Sequence, residues 1–90
     1  MLKPVYTKPF RKELKLMGKR GRNLDKLGEV MKMLINEKPL LPKHEDHPLH
    51  GNYKGKRECH VEPDWVLVYR IDKKNRKVIF HHTGSHSDLY

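Results

Sequence analysis

Apolar residues recur along this chain at two different periods, and the change of period divides it into two halves. Phe10, Leu14 and Met17 stand at i, i+4 and i+7, and Leu24, Leu27, Val30, Met31, Leu34 and Ile35 trace a second stripe at helical spacing. Both segments predict amphipathic helices. Thr7 is placed to cap the first, which begins near Lys8 and Pro9, where proline's missing amide proton does no harm. Gly18 and Gly21 predict its end, Asn23 caps the second helix, and Pro39 closes it. An antiparallel helix pair is expected. Ahead of it, Leu2 to Tyr6 predicts a short strand that Pro4 confines to a sheet edge.

Residues 39–55 carry Pro39, Pro42, Pro48, Gly51 and Gly55 and predict a long irregular connection, of a length that usually has a function. Beyond it the pattern is strand-like. Lys56 to Val61, Trp65 to Ile71 and Lys77 to Thr83 predict an antiparallel meander, broken by Glu62-Pro63 and by Asp72 to Asn75. Trp65-Val66-Leu67-Val68-Tyr69 is apolar on both faces, which predicts a central strand covered by the helices on at least one side. The expected fold is α+β: two N-terminal helices packed on a small antiparallel sheet, in a single domain over residues 1–90.

Charge sharpens the division. Residues 1–43 hold 12 Lys and Arg against 4 Asp and Glu, a balance of +8, whereas residues 44–90 hold 8 against 7, a balance of +1. Lys8, Arg11, Lys12, Lys15, Lys19, Arg20, Arg22, Lys26 and Lys32 make the helices a basic platform for a phosphate backbone or an acidic protein. The lone Cys59 excludes an intrachain disulfide and fits a reducing compartment, and the polar N-terminus has no signal-peptide core, so a cytoplasmic protein without a membrane span is expected.

All seven histidines lie between His44 and His86. Imidazole exchanges protons near neutral pH without retuning, and RNA is a polyanion that carries its own 2'-hydroxyl nucleophile. Alternation places Arg57, Cys59 and Val61 on one face of their strand and Glu58 and His60 on the other. On the last strand it sets Val78, Phe80 and His82 opposite Ile79, His81 and Thr83. Asp64, at the start of the central strand, is placed to orient His60. His44, His50 and His81 read as surface or packing residues, and Trp65 as core. A zinc site of His44, His47 and His50 is disfavoured, because Pro48 prevents the helix that would align them and no cysteine is near.

Asp46-His47-Pro48-Leu49, Gly51, Lys54-Gly55, Arg57, the run from His60 through Pro63-Asp64-Trp65 to Tyr69, Thr83-Gly84-Ser85-His86 and Leu89-Tyr90 closely resemble the YafQ branch of the RelE/ParE toxin superfamily. The resemblance implies a microbial-ribonuclease-like fold and the toxin of a type II toxin-antitoxin system. It further implies a ribosome-dependent endoribonuclease, an mRNA interferase that cuts messenger RNA in the ribosomal A site. The implied partner is a DinJ/RelB-like antitoxin, through which alone operator DNA would be bound. No metal or other cofactor is implied.

By the same resemblance the catalytic residues are His47, His60, Asp64 and His86, with Trp65 and the C-terminal aromatic Tyr90 supporting the RNA. Relatives carry an arginine where this chain has His82, so transition-state charge would be met there by an imidazole only when protonated. Lys54, Lys56 or Arg57 would be the alternative cations. A reading from another class stays open, namely a non-enzymatic ParE-like or ribosome-blocking binder, since fold alone does not fix function.

Overall fold

A computed structural model describes residues 1–90. The Thr7 hydroxyl accepts from the Phe10 amide at 3.2 Å and starts helix α1 (Lys8–Lys19), with Pro9 in its first turn. Asn23 caps helix α2 (Leu24–Ile35) through the Asp25 amide at 3.0 Å. Between them Gly21 takes a φ of +76°, the left-handed region that turns the chain out of α1. Phe10, Met17, Leu27, Val30 and Leu34 are buried, so both apolar stripes face inward as expected. The expected helix pair is looser than the sequence suggests. α1 lies along the last strand and α2 against the first strand of the meander, and the helices are organised by the strands they cover more than by each other.

The sheet has five strands: β1 (Lys3–Tyr6), β2 (His47–Pro48), β3 (Arg57–Glu62), β4 (Trp65–Asp72) and β5 (Lys77–Gly84), in the order β1-β5-β4-β3-β2. β1 runs parallel to β5, and the other pairs are antiparallel. β4 is central, and Trp65, Val66, Leu67, Val68 and Tyr69 are all buried, as its two-sided apolar run predicts. Pro4 sits in the edge strand, the one place in a sheet that tolerates a missing donor. One layer of core lies between helices and sheet, where Cys59, Val61, Trp65, Leu67, Tyr69, Val78 and Phe80 meet the helical stripes. Burial pushes the Cys59 thiol up to about 12, so it is an inert packing residue.

Three features differ from the sequence reading. Residues 39–55 are not wholly irregular: His47 and Pro48 form β2, with His47 opposite Glu58. The alternation expected along β5 fails at His81. Tyr69 pairs with Phe80 and Val68 with His82, leaving His81 as an extra, bulged residue. A bulge shifts the register by one, so His82 is carried to the face of Val68 while Thr83 joins Leu67 and Trp65 on the helix side. Finally, Ser85 starts a short helix, α3 (His86–Leu89), through a reciprocal capping box. Its hydroxyl accepts from the Asp88 amide at 3.1 Å, and the Asp88 side chain accepts from the Ser85 amide at 2.9 Å.

Candidate active site

β3 sets Cys59 and Val61 into the core and therefore turns Glu58 and His60 to the face of the sheet away from the helices. Glu58 is 3% exposed, and its ion-pair partners are all histidines. Its Oε1 lies 3.2 Å from His86 Nε2, 3.5 Å from His47 Nε2 and 3.8 Å from His60 Nε2. Its Oε2 accepts from the Tyr90 hydroxyl at 2.6 Å. A buried carboxyl is tolerable only with such partners. Three elements deliver them: β2 brings His47, β3 carries His60, and α3 with the residue after it brings His86 and Tyr90.

The backbone fixes which ring nitrogens are free. A carbonyl can only accept, so His60 Nδ1 donates to the Pro63 carbonyl at 3.2 Å and His47 Nδ1 to the Pro48 carbonyl at 3.2 Å. In both rings Nε2 is then the proton-exchanging atom, and it faces Glu58. His86 also turns Nε2 to Glu58, but there Nε2 itself makes the ring's hydrogen bond, at 3.2 Å. The His60 and His86 ring centroids are 5.5 Å apart and those of His86 and Tyr90 5.8 Å, which makes one continuous surface of rings. Burial and the Glu58 hydrogen bond raise the Tyr90 phenol, so it stays a donor. Tyr53 meets Tyr90 edge-on at 5.4 Å, and Lys56 Nζ lies 6.0 Å from the Tyr53 ring.

Several expected site residues are placed elsewhere. Asp64 lies exposed on the β3–β4 turn and makes no hydrogen bond or ion pair, so His60 is oriented by the Pro63 carbonyl and Glu58 rather than by Asp64. Trp65 is fully buried: its indole N–H donates to the Thr83 hydroxyl at 2.9 Å, and that hydroxyl donates to the Val66 carbonyl at 3.0 Å. It is a core residue and presents no ring to RNA. Arg57 is on the helix face, bound through both Nε and an Nη to Asp46 at 3.3 and 3.2 Å, with the Tyr69 hydroxyl also donating to Asp46 at 2.5 Å. It cannot supply the positive charge beside Glu58. Lys54 is exposed and unpaired.

His82, aimed by the bulge, lies on the site's face, but its Nδ1 is 3.1 and 3.2 Å from the two Glu13 oxygens. With Glu13, Tyr53, Val68 and Tyr90 it borders a hollow of about 220 Å³. His44 is a packing residue, as expected, donating from Nδ1 to the His60 carbonyl at 2.7 Å. The donor atoms that lie close enough for one metal ion belong to His47, Glu58 and His60, all within 4.8 Å of one another, and not to His44, His47 and His50. A cation there would compete with the protons of these same atoms.

No motif in the sequence singles out Glu58. Its signal was present, since alternation already put it on the face of His60. Ser85-His86-Ser87-Asp88 is likewise a capping-box pattern that could have disclosed α3.

Residues 2–90 match the family described as "Bacterial toxin of type II toxin-antitoxin system, YafQ". The mRNA interferase toxin YafQ of Escherichia coli K12 is 42% identical over 86 residues, which cover 94% of this chain and 91% of that protein. A metal-bound toxin from Helicobacter pylori has the same fold, with a TM-score of 0.94 at 44% identity and full coverage of both chains. The structure of the E. coli DinJ-YafQ toxin-antitoxin complex matches with a TM-score of 0.91 at 39% identity, covering 99% of this chain and 97% of that one.

Proposed function

The chain belongs to the YafQ family of type II toxin-antitoxin toxins, and from that premise we propose that it is an mRNA interferase whose chemistry is run by the imidazoles gathered on Glu58. The observation that carries this reading is the single buried carboxyl with three histidine Nε2 atoms within 3.8 Å. A purely electrostatic binder would need lysine and arginine but would gain nothing from a buried acid that collects proton-exchanging rings.

In the proposed reaction a neutral imidazole removes the proton of a ribose 2'-hydroxyl and that oxygen attacks the adjacent phosphorus in line. A protonated imidazole then donates to the departing 5' oxygen. The products are a 2',3'-cyclic phosphate and a 5'-hydroxyl. His60 and His86, 5.5 Å apart, are the pair that can flank one phosphodiester, and His47 is the third ring, binding phosphate or relaying a proton. Each positioned acid or base contributes about a hundredfold to ten-thousandfold. Glu58 orients His86 through the 3.2 Å contact to its Nε2. Asp64, exposed and unpaired on the turn that follows His60, has no contact through which to orient that ring. Tyr90, 52% exposed, and Lys54 and Lys56 line the approach of the strand.

The partner is a DinJ-like antitoxin, as in the matching E. coli complex. An acidic segment that folds on the basic helices suits the charge of residues 1–43. The test is a ribosome-programmed translation reaction with new messenger 5' ends mapped. Discrete ribosome-dependent ends, absent when the scissile nucleotide is 2'-deoxy, are expected; arrested translation without new ends would instead establish a blocking protein.

A further inference from the structure

α3 has four residues, too few to be stable by its own hydrogen bonds, yet it sets the position of His86 and, one residue on, Tyr90. Something outside the helix must hold it. Asp88 is the link. Its Oδ2 accepts from the Ser85 amide at 2.9 Å and also from Arg20 Nη1 at 2.7 Å, while its Oδ1 accepts from Arg20 Nη2 at 3.2 Å. Arg20 caps the C-terminal end of α1, 68 residues away in sequence, and its own amide bonds back to the Leu16 carbonyl at 3.0 Å while the next amide, Gly21, bonds to the Gly18 carbonyl. Arg20 is therefore fixed at the end of α1, and its guanidinium makes a two-pronged contact, the geometry in which an exposed ion pair departs from its usual small effect. Gly84 completes the fit: a Cβ there would stand 3.2 Å from Asp88 Cβ and Oδ2, so strand end and helix touch closely.

We propose that Arg20 is a positioning residue for the reaction, acting through Asp88 to fix α3 so that His86 and Tyr90 both reach Glu58. Asp88 is held well below the usual carboxylate range, first by the Arg20 hydrogen bonds and then by the Ser85 amide, in keeping with a permanently ionised clamp. This inference rests on His86 taking part in cleavage as proposed above. It gives Arg20 a role apart from the other cations of α1. Lys12, Lys15 and Lys19 are exposed and without an acidic partner, so they can act only through RNA or protein attraction.

The experiment is single-turnover cleavage of ribosome-bound messenger by the full chain as wild type, Arg20→Ala, Arg20→Lys, Asp88→Asn and the Arg20→Ala/Asp88→Asn double variant. Arg20→Ala is expected to lower kcat about ten- to hundredfold with KM changed less than about twofold, the mark of a misplaced reacting group. Arg20→Lys should recover part of the rate, since an ammonium keeps the charge but not the fork. The double variant should be no slower than the worse single one, because both break the same contact. In the same samples the His86 and Tyr90 ring NMR signals should shift in every clamp variant while the buried Trp65 indole N–H signal stays put. A raised KM with unchanged kcat, or losses that multiply in the double variant, would overturn the clamp and make Arg20 one more cation of the basic platform. Should wild type cut and His86→Ala not cut while Arg20→Ala cuts at the wild-type rate, the clamp alone fails; should wild type itself not cut, the nuclease reading fails first.

Discussion

Glu58 is surrounded by groups whose charge is conditional: three imidazoles and a phenol, with no lysine or arginine paired to it. Replacing it by the isosteric glutamine keeps the shape and removes the charge. Glu58→Gln should slow cleavage about ten- to hundredfold, the equivalent of the roughly 1.5–3 kcal/mol that hydrogen bonds to charged groups carry, without lowering the melting temperature. A loss of activity matched by a loss of folding would instead make Glu58 structural. His81 gives a second prediction of opposite kind. Burial, with Lys56 and Arg70 nearby, pushes it from the ordinary 6.5 down to about 4, and its Nε2 is buried without a partner. Between those values the unfolded chain binds the extra proton and the folded chain does not. Stability should therefore be full above about pH 6.5 and decline as the pH falls toward 4. His81→Phe should flatten that acid slope in thermal melts across the window, and an unchanged slope would contradict the burial of the ring. The site's histidines were legible as residue types and Glu58 was legible by its face. Arg57 was not, because its partner Asp46 stands 11 residues away across a turn that no local pattern specifies.

At the level of elements, the helices and the meander follow from period and capping, and the parts that shape the site do not. β2 is two residues long and contains a proline, so it exists only because β3 offers it an edge. The bulge at His81 falls where β5 passes from β1 to α1. Thr7 marks that passage, since its hydroxyl donates to the His81 carbonyl at 2.9 Å while accepting from the Phe10 amide. Beyond it Glu13 accepts from the Thr83 amide at 3.3 Å, where β1 no longer covers the strand. Thr7→Val removes both the cap and the tie to the bulge and should destabilise the protein by about 1–2 kcal/mol in urea titrations, while Thr7→Ser should restore most of it. Equal stability of the two variants would show that the bulge is held by the strands alone. The bulge also decides what His82 can do. It aims the ring at the site's face, where Glu13 takes one nitrogen, so His82→Arg should make cleavage less dependent on pH than in wild type. Identical pH profiles would remove His82 from the reaction.

Over the whole molecule the two halves stay distinct in charge but not in space. The basic helices cover one face of the sheet, and the imidazole cluster sits on the other, with α3 and the Arg20–Asp88 contact joining them. Attraction to ribosomal RNA by such a platform should weaken with salt, so the KM for programmed ribosomes should rise steeply between low and physiological ionic strength while single-turnover kcat, set by the imidazoles on Glu58, moves little. A kcat that fell in parallel would place exposed charges in the chemical step. The fold class was readable because periodicity and the two-sided apolar run of β4 are properties of the chain itself, whereas the convergence on Glu58 requires β2, the β3 face and α3 to meet, which only the folded sheet brings about. The most direct test of the account is single-turnover cleavage of ribosome-bound messenger by wild type, His86→Ala and Glu58→Gln, reading the new 5' ends. Discrete ends are expected from wild type, almost none from His86→Ala and slowed cleavage at the same positions from Glu58→Gln; cleavage by both variants at the wild-type rate would contradict a reaction run by the imidazoles on Glu58.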